Sequence, residues 1–183
     1  MHVGMSVIFQ NPGERVPDQQ VYQQDLALAL QAEGLGFDSV WSVEHHFTSY
    51  TMCPDVLQFL TYMAGATKSI QLGSMVCVLP WHDPLRVIEQ ISMLDNLSNG
   101  RLILGLGRGT GKVEFDGFRS EMSSARQRFK ESTEMVLNAI ENGYAEYHGE
   151  VIEQPRVDIR PRPIKSMRGR AYAAAVSPDS ARI

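Results

Sequence analysis

Short apolar segments alternate along the chain with longer segments whose apolar residues recur at helical spacing. An extended apolar segment covers residues 3–9, and apolar residues follow at helical spacing after Asp18. Further strand candidates begin near residues 38, 70 and 101, so strand starts recur about every 30 to 35 residues, the size of a βα unit. The pattern predicts an α/β protein with a parallel sheet. It fits a doubly wound open sheet and a closed barrel equally well.

The rest of the chain divides by the same criteria. The predicted strands after the first cover residues 38–43, 70–79, 101–106 and 171–176, and the later helices cover 55–67, 85–97 and 123–142. An extended stretch containing Pro155, Pro161 and Pro163 separates the last helix from the last strand, and we interpret it as an insertion. Ser177, Pro178 and Asp179 resemble the start of another helix, so we expect further strands beyond residue 183.

Composition and charge narrow the classes of protein. The chain has 183 residues, is 43% hydrophobic and carries a formal net charge of −4, without a basic face that would predict nucleic-acid binding. It shows neither a signal peptide nor a run of the ~20 apolar residues that a membrane span requires, so we expect a cytoplasmic protein. Cys53 and Cys77 have no paired spacing, so we expect two small buried side chains and neither a disulfide nor a metal site.

Two histidines follow the second predicted strand, at the end where parallel α/β folds place their active sites. Adjacent residues of an extended segment point to opposite sides, which argues against a metal site built from both His45 and His46. One of the two could donate or accept a proton, because imidazole titrates near neutral pH. A hydrogen-bonded structural histidine is the alternative.

Two further segments follow strands. The segment LGLGRGTG matches neither the dinucleotide fingerprint nor the P-loop, so its glycines either let a flat or anionic ligand approach beside Arg108 or form a plain flexible loop. The segment VSPDS places Ser177 and Ser180 at a predicted helix start, which is either an anion site or an ordinary N-cap.

Taken together, these residues resemble one known family. GFDSVWSVEHHF, IQLGSMVCVLPWHDP and LDNLSNGRLILGLGRG resemble successive signatures of the luciferase-like monooxygenases, and AAAVSPDSA is similar to the later phosphate-binding turn of that family. The resemblance covers nearly the whole chain in the correct order. It implies a TIM-type (β/α)8 barrel, of which residues 1–183 supply the N-terminal portion and about the first five strands.

The resemblance also implies a cofactor and a set of site residues. Relatives bind reduced flavin mononucleotide (FMN) or, in one branch, a deazaflavin coenzyme, and His45 matches the catalytic histidine that assists oxygen chemistry at the flavin. Arg108 matches an arginine that contacts the flavin phosphate, and the bond between Met75 and Val76 corresponds to a cis peptide against which the flavin ring packs. Glu44 and His46 are expected to hold the loop in shape. The expected cofactor-binding residues are Met75, Val76, Gly107, Arg108, Val176, Ser177 and Ser180.

The sequence therefore predicts a flavin-dependent monooxygenase that uses dioxygen on a small organic substrate, with a separate reductase supplying the reduced flavin. Gly107 stands where true luciferases have a reactive cysteine, so bioluminescence is not expected. Glu114 and Phe118 match a substrate-side loop of the family, but the glycine that usually follows that phenylalanine is absent. A deazaflavin-dependent hydride transfer and a non-catalytic flavin-binding relative remain alternatives, and we expect a homodimer or heterodimer.

Overall fold

The computed structural model describes residues 1–178 and 181. Its strands are β1 (Gly4–Val7), β2 (Ser39–Ser42), β3 (Gln71–Ser74), β4 (Cys77–Val78), β5 (Leu102–Gly107), β6 (Tyr144–His148), β7 (Glu153–Asp158) and β8 (Ala171–Ala173). Its helices are α1 (Asp18–Gln31), α2 (Val56–Ala66), α3 (Pro84–Leu97), α4 (Lys112–Phe118) and α5 (Ala125–Asn142). No helix in this described part of the chain is long and apolar enough to cross a membrane.

The parallel sheet is ordered as an arc of a barrel. β1 pairs with β2, β2 with β3 and β3 with β5, while β4 and β8 also pair with β5. β3 and β4 pair with successive parts of β5, so they are two halves of one strand position. The sheet therefore has five positions in chain order, and the order never reverses as it does in a doubly wound sheet. This confirms the expected TIM-type arrangement and its first five strands.

The predicted strand 70–79 is wrong as one continuous element. The bond between Met75 and Val76 is cis, as the resemblance implied, and these two residues separate β3 from β4. Residues Leu79–Trp81 then form a 3-10 turn, which contains Pro80. The last predicted strand, 171–176, is also too long, because the ladder of β8 ends at Ala173.

The predicted insertion contains an antiparallel hairpin that sequence patterns did not identify. β6 and β7 pair with a register shift between Ala145 and Tyr147, and Pro155 lies within β7. A bulge and a proline both disturb the alternation by which strands are recognised. Glu131 of α5 accepts hydrogen bonds from three backbone amides of the hairpin loop, those of Glu150, Val151 and Ile152.

Helix starts and core packing follow from local chemistry. Asp55 caps α2 by accepting from the Gln58 amide at 2.8 Å, and Asp83 caps α3, whose first residue is Pro84. The buried stripe of α3 packs on α2 and α5 and consists of Val87, Ile88, Ile91 and Leu94. Cys53 and Cys77 are both buried, as expected. Because the strands are parallel, the polar segments that follow them lie at one end of the sheet.

Candidate functional site

A cavity of about 230 Å³ lies at the carboxyl ends of β2, β4 and β5. It brings together six of the eight residues proposed from sequence: His45, Met75, Val76, Gly107, Arg108 and Val176. Ser177 is exposed and is not among the residues that line the cavity, while Ser180 lies outside the described residues. Val176 is 85% exposed, so it lies at the open edge of the cavity.

The floor of the cavity is an apolar surface formed by residues 75–76 beside β5. The Ser74 hydroxyl accepts from the Gly105 amide at 2.8 Å and donates to the Gly105 carbonyl at 2.9 Å, which fixes this surface to β5. A Cβ atom on Gly107 would lie 2.1 Å from Val76 Cγ2, so a larger residue would displace Val76. Gly105 and Gly107 lie within a buried strand, and the flexible-loop alternative is therefore wrong for these two glycines.

Two guanidinium groups line the same cavity. Arg108 follows β5 directly and is exposed, and Arg126 comes from the first turn of α5. Arginine binds phosphate and carboxylate groups with paired, charge-assisted hydrogen bonds, so two of them at one cavity favour an anionic ligand. Arg126 was missed by sequence reasoning because nothing in its neighbourhood indicates which strand end it approaches.

His45 is paired with a buried carboxylate. Its Nδ1 lies 2.7 Å from Glu114 Oε1, and its side chain is 39% exposed whereas that of Glu114 is 4% exposed. The same Glu114 oxygen accepts from the His46 amide at 3.2 Å, so one carboxylate fixes both the ring and the backbone of the loop. With Nδ1–H donating to Glu114, Nε2 is the nitrogen that can exchange a proton with a ligand.

His45 also lines a second, larger space. This open cleft of about 1040 Å³ lies between the loop after β1 and the loop after β2, and Arg15, Tyr22, Phe47 and Met52 contribute to its walls. Phe47 is 61% exposed and has a backbone φ of 62°. His45 therefore stands between the small cavity and the large cleft.

Glu44 is the centre of a buried hydrogen-bond cluster. Its Oε2 accepts from the Val78 amide at 2.8 Å, while its Oε1 lies 2.5 Å from His82 Nε2 and 3.2 Å from His46 Nε2. Burial raises the pKa of Glu44, but the hydrogen bonds from His46 and His82 outweigh it, so the net pKa lies below the usual 4.5. The expectation that Glu44 and His46 hold the loop in shape is confirmed.

The donor atoms of Glu44, Cys77 and His82 lie within 4.8 Å of one another, which raises the possibility of a metal site. Burial raises the pKa of the Cys77 thiol well above its usual 9.0, which favours a protonated sulfur beside Glu44. Both Glu44 oxygens already accept hydrogen bonds. We therefore assign these residues to a hydrogen-bond cluster.

Comparison with known proteins gives consistent matches. A family model described as luciferase-like monooxygenase matches residues 1–183. The chain is 34% identical over 153 residues to the alkanal monooxygenase alpha chain of Photobacterium leiognathi, covering 84% of this chain and 43% of that protein. It is 31% identical over 173 residues to the oxygenase component of flavin-dependent trigonelline monooxygenase from Acinetobacter baylyi, covering 91% and 48%.

Solved structures show the same likeness. Monooxygenase RslO1 from Streptomyces bottropensis superposes with a TM-score of 0.91 at 31% identity, over 99% of this chain and 56% of that one. An F420-dependent secondary alcohol dehydrogenase superposes with a TM-score of 0.77 at 18% identity, over 99% and 54%, which shows a shared fold. The chain spans less than half the length of the alkanal monooxygenase alpha chain and of the trigonelline monooxygenase oxygenase component.

Proposed function

Because the chain belongs to the luciferase-like monooxygenase family, we propose that it forms the flavin-binding part of a monooxygenase that uses reduced FMN and dioxygen on a small organic substrate. The observation that carries the proposal is the cavity where an apolar floor, the Arg108 guanidinium and the His45 imidazole meet. The relatives are about twice as long as this chain, so the activity is proposed for a single barrel domain of which residues 1–183 form the N-terminal portion.

The residues present suit a flavin. Its flat ring fits the apolar surface of Met75 and Val76, which the absence of a Cβ at Gly107 leaves undisturbed. Its phosphate suits Arg108 and Arg126. We propose that Ser177 and Ser180, which follow Val176 in the sequence, also bind the phosphate. When bound, the reduced flavin supplies the electrons that activate dioxygen.

His45 is the proposed catalytic residue of this chain. Glu114 accepts a hydrogen bond from Nδ1–H, so the ring keeps its orientation while Nε2 gives or takes a proton. The buried position of Glu114 makes this pairing stronger than it would be in water. The pair argues against a non-catalytic relative, for which an oriented imidazole at the cavity would serve no purpose.

The organic substrate is proposed to approach through the larger cleft on the other side of His45. One relative is named as the oxygenase component of a monooxygenase, which supports a separate reductase as the source of reduced flavin.

We propose a cytoplasmic homodimer or heterodimer that associates through early barrel helices. Met93 and Leu97 of α3 are 48% and 57% exposed, which gives that helix an apolar surface for such a contact.

The proposal is tested by titrating this chain with FMN and with a deazaflavin coenzyme. FMN is expected to bind more tightly, and Arg108→Ala is expected to weaken it by about 10- to 100-fold, the worth of a charge-assisted hydrogen bond. Arg156→Ala is the matched control, because that exposed guanidinium lies 3.8 Å over the Tyr144 ring in the hairpin. Preference for deazaflavin would move the proposal to hydride transfer, and binding of neither would reject it.

A further inference from the structure

We propose that His82 is a positioning residue of this site: its imidazolium balances the buried charge of Glu44 and thereby holds the loop that carries His45 against the segment that follows Val76. The effect on flavin binding rests on the proposed function. The positioning of His45 does not, because it can be measured without a cofactor.

Glu44 joins two segments that the site needs in register. It precedes His45 in the chain and is 3% exposed. Its Oε2 accepts from the amide of Val78, two residues after the apolar floor at Val76. A single carboxylate therefore ties the end of β2 to the surface on which a flavin would lie. If that carboxylate moved, both His45 and Val76 would move with it.

A carboxylate buried to this extent is stable only with a partner of opposite charge or with several donors. The titratable groups that surround Glu44 and His82 are His46 after β2, Cys53 and Asp55 before α2, and Cys77 in β4. Among these groups only the imidazoles can carry a positive charge at neutral pH. His82 makes the shorter bond to Glu44, 2.5 Å against 3.2 Å for His46.

His82 acts through Glu44. Among the described residues, those that line the cavity include Glu44 and Trp81 but not His82. His82 lies between the 3-10 turn and the cap of α3, and its side chain is 30% exposed. It can therefore exchange protons with solvent while bonded to a carboxylate that solvent does not reach.

This arrangement makes the site sensitive to pH on the alkaline side. Burial lowers the pKa of His82, but the hydrogen bond and charge of Glu44, with a smaller contribution from Asp55, raise it above the ordinary 6.5. A pKa raised in the folded state means that the stabilisation is complete below 6.5 and is lost as pH rises through the folded value. The loop and the floor should therefore loosen as His82 loses its proton.

The first experiment follows the imidazole NMR signals of the chain without cofactor. We expect the pKa of wild-type His82 to lie above 6.5 and to fall toward that value in Glu44→Gln. The His45 ring signals should shift in His82→Gln. His148→Gln, which removes a 66% exposed hairpin imidazole, should leave the His45 signals unchanged. A wild-type His82 that titrates at 6.5 or below would overturn the proposal even if His82→Gln fails to fold.

The second experiment measures the FMN dissociation constant between about pH 7 and pH 9, where the flavin phosphate is already mostly doubly ionised. The wild type and His148→Gln should bind several-fold more weakly at the upper end. His82→Gln should bind about 3- to 10-fold more weakly than the wild type at pH 7 and lose that dependence, since its amide keeps a hydrogen bond but not a charge. Equal pH dependence in His82→Gln overturns the inference. Expected NMR behaviour without FMN binding would reject only the proposed function.

Discussion

Two buried glutamates hold two parts of this molecule together; both accept from backbone amides, but Glu44 also binds two imidazoles. Glu44, 3% exposed, binds the imidazoles of His46 and His82 behind the candidate flavin cavity. Glu131, 2% exposed, binds the backbone amides of the loop between β6 and β7. Amides do not titrate, whereas imidazoles do near neutral pH. The bond between His82 and Glu44 at the site can therefore weaken as pH rises. The bonds between Glu131 and the hairpin amides weaken only in acid.

The largest expected effect is that of Glu44→Ala. This substitution removes a buried carboxylate and leaves the Val78 amide and the His82 ring without their acceptor. We expect the free energy of unfolding to fall by about 3 to 5 kcal/mol, as for other broken buried pairs. Chemical denaturation at pH 7 measures it. A loss below about 1 kcal/mol would mean that water replaces these bonds and that Glu44 does not organise the site.

A smaller effect is expected from Glu131→Gln. The substitution keeps the shape of the side chain but removes the charge that accepts from Glu150, Val151 and Ile152. We expect a loss of about 1 to 2 kcal/mol in the free energy of unfolding, since the first two of these residues are exposed and water can reach their amides. The FMN dissociation constant should stay within about twofold of the wild type. A larger weakening of FMN binding in Glu131→Gln would contradict the separation of the two regions.

The smallest expected effect is a difference in how the free energy of unfolding depends on pH at Glu131 and at the pair of Glu44 and His82. Burial raises the pKa of Glu131, but the hydrogen bonds from Gln127 and the hairpin amides bring it below 4.5, so its stabilisation is lost as pH falls below that value. The lowered pKa of Glu44 likewise means that its stabilisation is lost in acid. The raised pKa of His82 means that its stabilisation is lost as pH rises above 6.5. The free energy of unfolding of the wild type should decrease as pH rises above 6.5. His82→Gln should abolish this decrease, whereas Glu131→Gln should show it unchanged. Loss of the alkaline component in both variants would refute the distinction.

Periodicity and local motifs were sufficient to predict the positions of the parallel strands and to mark His45 and Arg108 as candidates, whereas Met75 and Val76 were expected from the family resemblance. Gly107 ends β5, Arg108 follows it, and His45 lies just beyond the end of β2; in a parallel sheet such residues meet at one end. The partners of these residues could not be predicted in the same way. Glu114 lies 69 positions from His45, and Arg126 is on α5, and periodicity indicates which face of a segment is buried but not which segments meet.

The local departures from the predicted fold have physical causes as well. The helix α4 is short and contains Gly117, which weakens its helical pattern. The hairpin contains a bulge and Pro155. Gly105 and Gly107 looked compatible with a flexible loop, because the Cβ clashes that exclude other residues there come from Ser74 and Val76 on a different strand position.

The central claim is that the apolar floor and Arg108 bind flavin. His45, oriented by Glu114, gives or takes a proton when the bound flavin reacts with dioxygen. This claim is tested most directly by loading His45→Gln with reduced FMN and following oxidation of the bound flavin by dioxygen in stopped flow. The account predicts an FMN dissociation constant within about twofold of the wild type and an oxidation rate changed by about 100-fold, the usual worth of a positioned acid or base. An unchanged rate, or a rate that changes only because FMN no longer binds, would contradict it.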